Sequence, residues 1–237
     1  MEQAKYRRAL VKISGEALSG GTGTGIDFEI LGRVCKVLKD CVDAGVQLAI
    51  VVGAGNFWRG ARNSAGTFDR TRADHMGMLA TTMNAIAIGE VLEQQGASAR
   101  VFSATPMPAF AETYNASVVR RAMEEGSIAV LAGGTGNPFV STDTGAVLRA
   151  LECKCDIALL AKNVDGVYDK DPRKHPDAVK YDELSFDEVL EKRLGVIDMT
   201  AASMAGDNHL PVLLFAVEDG QNILRALTGE NVGTVLR

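Results

Sequence analysis

Histidine is scarce in this 237-residue sequence, with 3 copies. Among the three no His-based catalytic triad and no histidine metal cluster can be picked out. Cysteine is also sparse, with 4 copies at positions 35, 41, 153 and 155. Cys153 and Cys155 are one residue apart, which is not zinc-knuckle spacing, so the four read as reduced thiols of a cytosolic protein. Long hydrophobic runs are missing. The longest largely apolar stretches, such as 46–52, span about seven residues, against the roughly 20 a spanning helix needs. The opening MEQAKYRRALVKIS shows no apolar core followed by a small-residue cleavage site, so no signal peptide is expected. Positive charge is not in excess: the formal net charge is −5. A general nucleic-acid binder carries a basic face and a high pI, so nucleic acid is not expected as a primary partner. An acidic chain can still bind phosphates where a few cations and backbone N–H groups converge. No internal repeat, linker or low-complexity tail interrupts the chain.

What is present is ordinary for a folded domain, with 46% hydrophobic and 23% charged residues. The length suits one large α/β domain or two tightly fused halves. Short apolar runs alternate with helical patterns. Strands are expected at 9–14, 46–53, 98–103, 128–132, 156–161, 211–217 and near 232–236. Helices are expected at 27–44, 72–95, 115–125, 143–151, 185–193, 200–207 and 219–228, the first capped by Asp27 and stopped by Gly45. The polar segment 162–185 reads as a hairpin or surface excursion. Continuous apolar strands separated by helices imply a mostly parallel sheet covered on both faces. In such sheets ligands sit beyond the carboxyl ends of the strands. The 25 glycines cluster there, just after the strands, where backbone can approach a ligand closely.

Six constellations could carry chemistry. Lys12-Ile13-Ser14-Gly15 ends the first strand, and a lysine there can set a compact cation over a phosphate while Ser14 and Gly15 offer N–H groups. Taken singly, it reads as a surface lysine before an ordinary strand-to-helix turn. Gly20-Gly21-Thr22-Gly23-Thr24-Gly25 fits neither a P-loop nor a dinucleotide fingerprint, and reads as a flexible or ligand-responsive loop. Gly53-Ala54-Gly55-Asn56-Phe57-Trp58-Arg59 follows a buried strand, with Arg59 able to fork across phosphate oxygens and Trp58 read as packing. Asp74 opens a Met-rich helix, either as a helix N-terminal acid or as an acceptor for ribose hydroxyls. The run from Gly133 to Thr144 packs glycines, hydroxyls, an amide and an acid between a strand and a helix. Thr142 or Asp143 is expected to cap that helix, whose N-terminus would attract an anion. Last, 162–172 carries the turn signals Asp165-Gly166 and Asp171-Pro172, a surface hairpin or a clamp over a base.

KISGEAL, GAGNFWRG, DHMGMLAT, GTGNPFVSTDTGA and NVDGVYDKDP occur in that order across nearly the whole chain. Together they resemble the bacterial uridylate kinases of the amino-acid kinase superfamily, and DHMGMLAT and GTGNPF are the most specific of them. The resemblance implies one domain over 1–237, a three-layer α/β/α sandwich around a mostly parallel twisted sheet, with an acceptor half (about 1–160) and an ATP-base half (161–237). It implies cytoplasmic transfer of the ATP γ-phosphoryl group to UMP in pyrimidine biosynthesis, with Mg²⁺ as cofactor, GTP as activator, UTP as inhibitor and a homohexamer. By the same resemblance Lys12, Ile13, Ser14, Gly15, Gly55 and Arg59 would meet the ATP phosphates. Lys162, Asn163, Tyr168 and Asp171 would hold the adenine side. UMP would lie against Ala54, Asp74 and Thr135, Gly136, Asn137, Pro138, Phe139, Val140, Ser141 and Thr142. Gly20–Gly25 would respond to GTP. Lys12, Arg59, Asp143 and Asp165 are the expected catalytic set, with Asp143 and Asp165 organising Lys12 or the waters of the metal. Ala54 stands where the family commonly has glycine. Two rivals remain: a relative acting on acetylglutamate or aspartate, and a nucleotide sensor without turnover.

Overall fold

A computed structural model describes residues 4–58, 68–172, 174–216 and 220–237. Its centre is a nine-stranded sheet in the order β4-β3-β5-β2-β1-β6-β10-β11-β9. The strands are β1 (Arg8–Ile13), β2 (Gln47–Val52), β3 (Ala99–Ser103), β4 (Glu112–Thr113), β5 (Ile128–Ala132), β6 (Ile157–Lys162), β9 (Glu183–Leu184), β10 (Val212–Ala216) and β11 (Gly233–Leu236). Every pairing in that sheet is parallel except β10 with β11. A two-stranded antiparallel ribbon, β7 (Val167–Tyr168) with β8 (Lys180–Tyr181), forms a separate ladder, tied to β11 through the Thr234 hydroxyl.

The central strands are buried on both faces, which is why they read as unbroken apolar runs. Their side chains alternate between two cores. Ala9, Val11, Ile13, Leu159 and Ala161 join one core with Leu31, Leu38, Ile88, Leu92 and Leu227. Those partners lie on helices α1 (Phe28–Asp43), α2 (Arg70–Gln94) and α7 (Gln221–Thr228). Leu10, Ala158 and Leu160 join the other core with Val119, Val147, Val189 and Ala202. These belong to α3 (Ala116–Glu124), α4 (Thr142–Glu152), α5 (Phe186–Glu191) and α6 (Met199–Asp207). The result is the expected three-layer α/β/α arrangement.

Local signals fix the helix ends. The Asp27 carboxylate accepts the N–H groups of Glu29 and Ile30 at 3.0 and 3.1 Å, and Gly45 takes the left-handed turn at φ 91°. At α4 the cap is Ser141, whose hydroxyl accepts the Thr144 N–H at 3.1 Å, so Thr142 and Asp143 sit inside the first turn rather than capping it. That placement of the cap before both residues matters for the site. It frees the Asp143 carboxylate to face the sheet. The four cysteines are buried free thiols, and burial pushes Cys35 and Cys41 up to about 12.

Candidate nucleotide and phosphoryl-transfer site

The four central strands β5, β2, β1 and β6 all end at one rim, and an open cavity of about 640 Å³ lies beyond it. That size suits a small-molecule site. Lys12 and Lys162 reach it for a reason set by strand geometry. Side chains two apart share a face. Lys12 follows Leu10 and Lys162 follows Leu160, so both lysines continue the face covered by α4. β1 and β6 are adjacent, with Lys12 opposite Leu160. The first turn of α4 then places Asp143 between the two ammonium groups. Lys12 Nζ lies 3.2 Å from Asp143 Oδ1, and Lys162 Nζ pairs with Oδ2. The side chains are only 11, 12 and 18% exposed for Lys12, Asp143 and Lys162. Burial pushes the Asp143 carboxyl upward, but the two lysines outweigh it and hold it below the usual carboxylate range. Burial pulls Lys162 below the ordinary lysine value in spite of Asp143. Two cations sharing one carboxylate leave a net positive floor, a place for phosphate oxygens.

Above that floor two loops come close together. The hydroxyl of Ser14 caps a 3-10 turn, Gly15–Leu18. Gly15 packs so tightly on the loop after β2 that a Cβ would lie 2.4 Å from Asn56 Oδ1 and 2.7 Å from both Gly53 O and Gly55 N. Only glycine fits there. The loop is set by two buried amides: Asn56 Nδ2 donates to Asn84 Oδ1 at 2.9 Å, and Asn84 Nδ2 donates to Asn56 Oδ1 and Gly53 O, each at 2.8 Å. Gly133, after β5, donates its N–H to Thr81 of α2 at 2.8 Å.

On the opposite wall, Asp74 accepts Arg70 Nε on both oxygens at 2.9 Å and the Phe139 N–H at 2.8 Å. Phe139 is held at φ 66°, a left-handed conformation that costs a side-chain-bearing residue on the order of 1 kcal/mol. The Arg70 guanidinium sits 5.5 Å from the Phe139 ring centre. Ser141 and Thr144 both donate to Asp198, which also caps α6 through the Ala201 N–H at 2.9 Å.

Of the sequence-expected residues, Lys12, Ser14, Gly15, Ala54, Gly55, Asp74, Thr135, Asn137, Val140, Ser141, Thr142, Lys162 and Asn163 all line this one cavity. Asp143 lies beneath it, in contact with both lysines. Gly136, Pro138 and Phe139 belong to the same loop without lining the wall, and Ile13 is buried in the core. Asp165 accepts from the Tyr168 hydroxyl at 2.8 Å and from Lys180 at 3.2 Å on the ribbon, and these partners do not include Lys12. Tyr168 and Asp171 also stand on this outlying segment. Gly20–Gly25 lies outside the wall, with Gly21–Thr24 exposed. Arg59 falls outside the described residues. Trp58 packs edge-on against Phe68, donates to the Ala73 carbonyl at 2.7 Å, and also lines the cavity.

Four residues with close contacts here escaped sequence reasoning: Arg70, Thr81, Asn84 and Asp198. Only Arg70 left a signal, since it stands four residues before Asp74 on a helix, a spacing that pairs opposite charges.

A doubly covered, mostly parallel sheet with cations and glycine loops converging beyond its strand ends defines an enzyme class that handles phosphates. The amino acid kinase family profile matches residues 7–220, and the chain belongs to that family. Among solved structures it is similar to the UMP kinase from Bacillus anthracis, at 34% identity and a TM-score of 0.94, covering 98% of this chain and 96% of that one. It is also similar to the UMP kinase from Ureaplasma parvum, at 32% identity and 0.92, covering 100% and 99%. The uridylate kinase from Archaeoglobus fulgidus matches at 27% identity and 0.75, covering 97% and 99%.

Proposed function

We propose that this chain is a uridylate kinase, transferring the γ-phosphoryl group of ATP to UMP to give UDP and ADP. The observation that carries the reading is the Lys12–Asp143–Lys162 floor at the strand ends, beside a wall that presents Asp74 and the 135–142 loop. A phosphate monoester has a second pKa of about 6, so the acceptor is largely dianionic at neutral pH. No general base is then needed. Catalysis reduces to alignment and charge neutralisation of a loose transition state. Lys12 and Lys162 meet the transferring phosphoryl oxygens, and Asp143 keeps both ammonium groups aimed. Lys162 thereby moves from the adenine side to the phosphate side. Arg59 adds a third cation, and Asn163, Tyr168 and Asp171 hold the base of ATP. UMP takes Ala54, Asp74 and the loop from Thr135 to Thr142.

Among the described residues no group of three or more His, Cys, Asp or Glu side chains could hold a metal. Asp143 is committed to two lysines. Magnesium would be held mainly by the nucleotide phosphates rather than by Asp143, which is paired with Lys12 and Lys162. When bound, magnesium neutralises charge on the phosphates.

GTP activates through Gly20–Gly25, and UTP inhibits. The homohexamer rests on the family resemblance, and self-association as such is supported by an uncovered stripe on α2. Met76, Leu79, Met83 and Ile86 are 38, 54, 53 and 41% exposed at helical spacing, and a contiguous apolar strip of that kind marks an association surface. Among the described residues no helix is long and apolar enough to cross a membrane. Buried free thiols suit the cytoplasm.

The test is ADP release from ATP·Mg²⁺ with UMP, CMP, dUMP, acetylglutamate and aspartate offered separately, with and without GTP or UTP. Turnover confined largely to UMP is expected. Turnover on an amino acid, or none with UMP in the presence of GTP, overturns the reading.

A further inference from the structure

Asn56 and Asn84 lie 28 residues apart, on different elements, and are 2 and 0% exposed. Two buried amides in an apolar layer are costly unless every donor is used. Here every one is. Asn84 Nδ2 serves Gly53 O and Asn56 Oδ1, each at 2.8 Å. Asn56 Nδ2 serves Asn84 Oδ1 at 2.9 Å and Gly25 O at 2.8 Å. The Asn56 carbonyl accepts the Gly25 N–H at 3.0 Å and the Thr24 hydroxyl at 3.1 Å. One amide pair thus touches three places: the loop after β2, the body of α2, and the glycine-rich segment 20–25.

The contact with Gly53 fixes more than a carbonyl. In a trans peptide the C=O and the next N–H point in opposite directions. Anchoring Gly53 O on Asn84 therefore turns the Ala54 N–H away from the pair. Ala54 and Gly55 line the cavity, and Gly15 is wedged against Asn56, Gly53 and Gly55 with no room for a methyl group. A displaced Asn56 would move both glycine loops together.

We propose that Asn56 and Asn84 are positioning residues for phosphoryl transfer, setting the Gly53–Gly55 loop over the lysine floor and yoking it to segment 20–25. The inference rests on the uridylate-kinase reading for its reaction. Neither side chain touches substrate. Both act through the loop.

The experiment is a double-mutant cycle on the full chain: Asn56→Ala, Asn84→Ala and the pair, with kcat and KM for UMP and ATP, and thermal melts to establish folding. Loss of loop alignment is expected to lower kcat about 10- to 100-fold in each single variant. KM for UMP should stay within about threefold, because of its proposed contacts only Ala54 lies on the displaced loop, while Asp74 and the 135–142 loop are untouched. The double variant should be no more than about threefold worse than the worse single one, because the two act as a unit. Folded single variants that keep kcat, or a double variant whose loss is the product of the singles, overturn the proposal. Should the alanine variants fail to fold, Gly25→Ala tests the same link from the exposed segment. Its φ of 74° strains any side chain, with no atom within 4 Å of the new methyl. A three- to tenfold drop in kcat is expected, and unchanged kcat overturns the yoke. The single tryptophan, Trp58, gives a readout independent of turnover. In an ATP·Mg²⁺ titration followed by its emission, the midpoint should shift at least tenfold in Asn84→Ala, or at least threefold in Gly25→Ala if the former does not fold. An unchanged midpoint overturns the positioning role even if wild-type chain fails to phosphorylate UMP, an outcome that by itself sinks only the kinase reading.

Discussion

The cavity floor and the β7–β8 ribbon each hold an aspartate paired with lysine, and they are built in opposite ways. On the floor, Asp143 is 12% exposed and shared by two lysines from adjacent strands. On the ribbon, Asp165 is 54% exposed and paired with Lys180, itself 31% exposed. The family resemblance puts both aspartates in the same expected catalytic set. Burial separates them. Removing a partner from a buried ion pair leaves uncompensated charge and costs about 3–5 kcal/mol, whereas exposed pairs contribute little. The floor is where a phosphate can find concentrated, fixed charge, and the ribbon is where a surface loop is pinned.

The sharpest way to break this contrast is Asp143→Ala. It leaves two close lysines with no counter-ion. We expect kcat for UMP phosphorylation to fall about 10²- to 10³-fold, the range seen when a preorganised electrostatic group is lost. The melting temperature should drop as well, and ATP should restore part of it by supplying anions to the floor. Steady-state kinetics and melts with and without ATP check both.

Lys162→Ala comes next, with an expected loss of about 10²-fold. Lys162→Arg sharpens the comparison through pH. Because Lys162 lies below the ordinary lysine value, the unfolded chain binds more protons between the two values, so its contribution to stability rises with pH across that window. Activity moves the other way there, since the cation is being lost. A profile of kcat/KM against pH, which reports the free enzyme, should therefore show an alkaline limb below the usual lysine range, and arginine, charged beyond pH 12, should move that limb upward. Asp143, held low, keeps its charge down through the ordinary carboxylate range.

Arg70→Ala probes the acceptor wall. It removes the two-oxygen contact with Asp74 and the cation over Phe139. KM for UMP should rise about tenfold with kcat within about threefold, as for an interaction made equally in ground and transition states. The smallest effect belongs to the ribbon: Asp165→Asn should change kcat and KM for ATP by less than about threefold in the same assay.

The same contrast explains what could be read in advance. The central strands were legible because burial on both faces forces continuous apolar runs, and the main helices because Asp27 and Gly45 punctuate the first and apolar spacing marks the rest. β4 and β9 were not: each is two residues long, carries Glu112-Thr113 or Glu183-Leu184, and exists through backbone pairing at a sheet edge. The cap of α4 lies one residue before Thr142 and two before Asp143, the expected caps, because Ser141, Thr142 and Asp143 are all good caps. In the site, the glycine loops after strands, Lys12 at the end of the first strand and Asp74 at the start of a Met-rich helix are legible as motif residues. Their partners did not. Asn56 with Asn84, Ser141 with Asp198 and Lys162 with Asp143 are joined across 28, 57 and 19 residues by the order of strands. Local spacing carries no trace of that order.

The most direct measurement is phosphorus NMR of UMP with ATP·Mg²⁺ and enzyme, run for the wild type and for Asp143→Ala. The account predicts UDP and ADP appearing together with the wild type and at least a hundredfold more slowly with the variant. ADP without UDP, or an Asp143→Ala protein that makes UDP at close to the wild-type rate, would contradict it.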